Sequence, residues 1–115
     1  MSNQMTNTKK LDQLPEAARD RIQQLRLLFI ERSIEQLSQI RQFLDERARA
    51  EEPRAKDADL IKLAHSMVGA SGIFGFQDLG NAAFKLENTL REPGYNEADF
   101  LRAADDLIGH HTMLG

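Results

Sequence analysis

Leu60-Ile61-Lys62-Leu63-Ala64-His65-Ser66-Met67-Val68-Gly69-Ala70-Ser71-Gly72-Ile73-Phe74-Gly75-Phe76 is the stretch that decides how this chain is read. Wound at about 100° per residue with His65 at zero, Leu60, Leu63, Ala64, Met67 and Phe74 gather in an arc between about 160° and 260°. The stretch is therefore an amphipathic helix whose core face lies opposite His65, and the imidazole points to solvent. Nearest to it in angle, within about 40°, are Ala58, Ile61, Gly69 and Gly72. The ring thus stands in a clearing of mostly small side chains. A Gly inside a helix costs roughly 1 kcal/mol relative to Ala, so two beside one exposed His call for a compensating reason. Close approach of another molecule is the simplest. The plain alternative is a solvated surface histidine near a helix end, weakening at Gly72 or Gly75.

Upstream, Pro15 suits the first turn of a helix, and Leu27, Ile30, Ile34, Leu37 and Leu44 recur at helical spacing. A break near Arg26 is expected to separate a short first helix from a longer second one, with the exit between Arg47 and Ala55. Asp57 or Asp59 is placed to cap the helix that carries His65. Downstream, Gln77 to Arg91 reads as a further helix with Leu79, Ala82, Ala83, Leu86 and Leu90 on one stripe, ended by Pro93-Gly94. Asn96 with Asp99 resembles a capping box opening a last helix, whose stripe is Phe100, Ala104, Leu107 and Leu114. No stretch alternates with the period of a strand. The expectation is an all-α, antiparallel four-helix bundle with a short additional N-terminal helix, residues 14–115 forming a single domain behind a flexible tail over 1–13.

The chain has 115 residues, 15 Lys plus Arg against 18 Asp plus Glu, no Cys and three His. Without Cys, a disulfide scaffold, a thiolate zinc site and a cysteine nucleophile are all excluded. A net charge of −3 argues against non-specific attraction to nucleic acid. The polar start lacks the apolar run of a signal peptide, and no window approaches the roughly 20 apolar residues of a membrane span. A cytoplasmic protein is expected, and no seam suggests more than a monomer. His110 and His111 diverge by about 100° on a helix, with no third ligand in view, and read as a solvated pair.

The match Ala64-His65-Ser66-Met67-Val68-Gly69, with Gly72 and Gly75 beyond and then Leu79, Ala82, Ala83, Leu86 and Glu87, resembles the histidine-containing phosphotransfer (HPt) domains of two-component phosphorelays. Members of that family similarly carry an exposed His, a Gly four residues later, small residues through the next turn and another Gly ten residues after the His. A Leu- and Ala-rich helix follows. The resemblance covers about Leu60 to Leu90, and the family's four-helix bundle agrees with the rest. One position departs from the pattern: three residues after the His the family usually has Lys, and here stands Val68.

The resemblance implies that His65 takes a phosphoryl group from an aspartyl phosphate on one receiver domain and passes it to an Asp on another. The partners would be response-regulator receiver domains and a hybrid histidine kinase. A neutral imidazole nitrogen is nucleophilic near physiological pH, and its companion nitrogen needs an acceptor to set the tautomer. Glu87, matching a polar orienting position of the family, is the candidate acceptor; the alternative is a solvated helix residue. Lys62, one turn before His65, or Lys85 on the next helix is the candidate for the charge missing at Val68. Ile61, Val68, Gly69, Gly72 and Phe84 would form the docking patch, although Phe84 also fits an edge-of-core residue. No cofactor of its own is implied, and Mg²⁺ would come with the receiver domain. Val68 also favours a second reading, an HPt-like interaction module that binds and modulates a kinase or regulator without carrying phosphate.

Overall fold

The computed structural model describes residues 15–114, and among these there is helix but no strand. The expected tail over 1–13 lies outside the described residues. The elements are α1 (Glu16–Arg49), a 3-10 turn (Pro53–Lys56), α2 (Asp57–Phe74), α3 (Gln77–Arg91), α4 (Glu97–Gly109) and a single turn α5 (His111–Leu114).

The break expected near Arg26 is absent: α1 runs unbroken for 34 residues, with no Gly or Pro between its ends to interrupt it. At about 1.5 Å per residue it spans about 51 Å, which accounts for the 55 Å long dimension of the fold. Arg26 donates to the carbonyl of Phe74 at the end of α2 (3.1 Å) and lies over the ring of Phe76. Beside it, Phe29 stacks on Phe74 and leans on Phe76, both with ring centroids 5.1 Å away. That aromatic cluster fixes which face of α1 is buried. Leu27, expected on the apolar stripe, sits about 200° around from Phe29 and is 61% exposed.

The core is otherwise the one the stripes foretell. Leu37 and Ile40 of α1, Leu60, Ala64 and Met67 of α2, Leu79, Ala82, Ala83, Leu86 and Leu90 of α3, and Phe100, Ala104, Leu107 and Leu114 are buried together. Leu63 and Phe74 sit at its edge, only partly covered. α2 and α3 pack most extensively of all pairs. Small residues permit this. A Cβ built on Gly80 would lie 3.1 Å from the Cβ of the buried Ser71. Between the two helices Gly75 turns the chain with φ +80°, the left-handed conformation that favours Gly. Asn96 caps α4 as expected, its side chain accepting from Ala98 N (2.7 Å) and Asp99 N (3.3 Å).

Asp57 does not cap α2, which has no side-chain cap. Its carboxylate is used instead by Arg47, a buried arginine near the end of α1. Arg47 engages all five of its donors. Nη1 bonds Asp57 Oδ1 (2.7 Å) and the Pro53 carbonyl (2.8 Å), Nη2 bonds Tyr95 Oη (2.6 Å) and Glu97 Oε1 (2.8 Å), and Nε bonds Glu97 Oε2 (3.1 Å). Tyr95 in turn donates to Asp57, and the guanidinium lies over the ring of Phe100 at 4.2 Å. One side chain thereby ties α1, the 3-10 turn, α2 and the start of α4. The bond from Arg47 holds the Glu97 carboxyl below its ordinary value, while burial, with the bond to Asp57 second, raises the Tyr95 phenol.

Removing one partner of such a network leaves buried charge uncompensated, so Arg47→Ala should lower stability by about 3 kcal/mol in chemical denaturation, near the lower bound for buried pairs because Glu97 keeps solvent access. A loss below about 1 kcal/mol would show the clamp to be ornamental. The pH dependence has two signs. Glu97, depressed when folded, contributes above its ordinary 4.5, and that stability is lost as pH falls through the lower folded value. Tyr95, raised when folded, loses its contribution as pH climbs above its ordinary 10.0.

Candidate functional site

His65 lies midway along α2 with Ala64 buried behind it, so the helix face is fixed by the core and the imidazole is driven outward. Its side chain is 70% exposed. Across the α2–α3 seam, Nδ1 lies 3.0 Å from Glu87 Oε2. Glu87 is not a solvated residue: its side chain is only 8% exposed, in a helix whose neighbouring turn buries Ala83, Leu86 and Leu90. The same oxygen accepts from Arg91 Nε at 2.9 Å, one turn further along α3. The carboxylate is therefore shared between an imidazole and a guanidinium.

A carboxylate accepts only, so the short contact assigns the proton of a neutral ring to Nδ1. Nε2 is left with its lone pair, on the side of the ring away from Glu87. The arrangement is an oriented imidazole: backbone fixed by the core, ring rotation and tautomer fixed by a buried acceptor.

The surroundings are open. A Cβ built on Gly69 or on Gly72 would meet nothing within 4 Å, so neither glycine is required by packing inside the molecule. They differ in this from Gly80. Ile61 and Val68 are half-buried and Phe84 is 53% exposed. On the α1 side, Gln36 Nε2 stands 3.5 Å from Ser66 Oγ. Lys62 and Lys85 are both exposed, and among the described residues neither side chain makes an ion pair. His110 donates Nδ1–H to the Asp106 carbonyl (2.9 Å), and His111 is exposed at the start of α5.

Sequence reasoning missed Arg91. The signal was present as a Glu and an Arg four residues apart on one helix, the spacing at which opposite charges meet.

Comparison with known proteins bears on this geometry. The Hpt domain family matches residues 24–109, well over half of the chain, and the match includes α2, α3 and all of α4. No curated protein and no solved structure matches. The chain belongs to the Hpt domain family, and with it to the phosphorelay proteins whose general role is histidine phosphotransfer.

Because Gly69 and Gly72 face open space, Ala at either position should gain helix propensity at no packing cost. Thermal and urea denaturation of Gly69→Ala and Gly72→Ala should each show a stability increase of about 0.5–1 kcal/mol. A decrease would mean that the glycines serve the fold and not the approach of a partner.

Proposed function

We propose that this member of the Hpt domain family is a phosphorelay intermediate in which His65 carries the phosphoryl group between the aspartates of receiver domains. The observation that carries the reading is the buried Glu87 carboxylate 3.0 Å from His65 Nδ1 on a ring that is otherwise open to solvent. A surface histidine without a role has no need of a buried acceptor. The short connections between helices support an antiparallel course for the bundle.

In the forward step Nε2 attacks the phosphorus of an aspartyl phosphate. The N–P bond forms as the P–O bond to the donor carboxyl breaks, and its electron pair leaves on the donor carboxylate. The ring acquires positive charge while keeping the proton on Nδ1, and Glu87 offsets that charge. Transfer onward to a second receiver reverses these events. Mg²⁺ and the acceptor Asp belong to the receiver. Ile61, Val68, Gly69, Gly72 and Phe84 form the docking patch, with the glycines allowing the receiver's backbone close to the ring. We further propose a monomeric, cytoplasmic protein served by a hybrid histidine kinase; among the described residues no helix is long and apolar enough to cross a membrane.

Val68 favours a second reading, in which the same surface binds a kinase or regulator without accepting phosphate. The two separate in one assay. Incubated with receiver domains bearing aspartyl phosphate, the chain should acquire an acid-labile, base-stable phosphate, and His65→Ala should acquire none. Full labelling of His65→Ala would overturn the site assignment, and tight receiver binding with no labelling of the wild type would establish the second reading.

A further inference from the structure

We propose that Arg91 is a positioning residue for phosphoryl transfer: by holding Glu87 Oε2 it cancels the charge that an incoming phosphoryl group would meet, taking over the task left vacant at Val68. The inference rests on the reading of His65 as phosphoacceptor.

An acceptor for Nδ1–H could be neutral, but here it is a carboxylate, set directly beside the nucleophile. A phosphoryl group reaching Nε2 is itself anionic, so Glu87 alone would repel the group that its own hydrogen bond prepares the ring to accept. A cation must offset it. Lys62 is exposed and reaches neither His65 nor Glu87 through an ion pair or hydrogen bond among the described residues.

Arg91 is placed to meet the requirement in three ways. It donates Nε–H to Glu87 Oε2 at 2.9 Å, and Nη2 lies 2.9 Å from the same oxygen, the one that faces His65 Nδ1. It occupies the last residue of α3, where the helix dipole favours a cation and the chain leaves helical geometry immediately afterwards. Its side chain is 56% exposed, so the guanidinium edge not engaged by Glu87 is open to solvent. Holding Oε2 also fixes the direction of the carboxylate, and with it the ring orientation of His65.

The charge argument predicts that position within the site matters less than sign. A Lys installed at Val68, on the turn following His65, should therefore replace Arg91.

The test uses the full chain and phosphoramidate, a small donor that removes receiver docking from the comparison. Nε2 attacks its phosphorus, the P–N bond breaks, and ammonia leaves with a proton from water. Phosphohistidine is followed by ³¹P NMR. Arg91→Ala should be phosphorylated about tenfold more slowly than wild type, Arg91→Lys should recover most of the rate, and Val68→Lys added to Arg91→Ala should do the same. Lys62→Ala should change the rate by less than about twofold.

An Arg91→Ala rate within about twofold of wild type overturns the inference, as does a loss that neither lysine repairs, which would mark Arg91 as merely structural. A Lys62→Ala loss matching that of Arg91→Ala assigns the charge to Lys62 and overturns it equally. His65→Ala separates the two levels: labelling that persists there sinks the phosphoacceptor reading, whereas a silent His65→Ala beside an unimpaired Arg91→Ala sinks only the role of Arg91.

Discussion

One buried carboxylate oxygen organises the functional face of this protein. Glu87 Oε2 accepts from His65 on one side and from Arg91 on the other, and it does so with the side chain almost withdrawn from water. Burying a carboxylate is costly unless it is paired and hydrogen-bonded. Here both partners are exposed and the acceptor is buried, the reverse of what helix amphipathicity alone would produce. The cost is rational if the product is an imidazole held in one tautomer. On the proposed reading a single central histidine suffices, because an oriented imidazole is all that the chain itself supplies.

The oxygen meets the imidazole only if α2 and α3 keep their register. Two features hold it. At the turn, Gly75 reverses the chain in a left-handed conformation, and Ser71 against Gly80 lets the helices approach until a Cβ would be crowded. At the other end, Arg47 grips Asp57, the first residue of α2, together with Tyr95 and Glu97. His65 follows Asp57 by eight residues, or about 12 Å of helix, so it is set between a polar clamp and a tight apolar turn.

Much of this was legible in the sequence because it depends on periodicity. The stripe of α3, the cap at Asn96 and the outward direction of His65 all follow from spacing, and the core confirms them. What escaped depends on long-range pairing. Nothing local distinguishes Arg47 from the other arginines of α1, because its partners lie in three later segments. Asp57 read as a cap for the same reason, its stronger partner being invisible from its neighbours. Leu27 was assigned to the core since an apolar residue at helical spacing carries no mark of where the bundle's flank ends. The break expected near Arg26 failed for want of any breaker there, Arg26 instead anchoring the end of α2. Glu87 stood open between two readings, and only its burial beside His65 separates them.

The central claim is that Glu87 fixes the proton on Nδ1 and leaves Nε2 as the nucleophile. Long-range ¹H–¹⁵N correlation of the histidine rings, recorded at about pH 9 where a free imidazole is neutral, reads this directly. The account predicts that His65 shows a protonated Nδ1 and an unprotonated Nε2. A His65 ring protonated on Nε2, or averaged between the two tautomers like a free surface histidine, would contradict it.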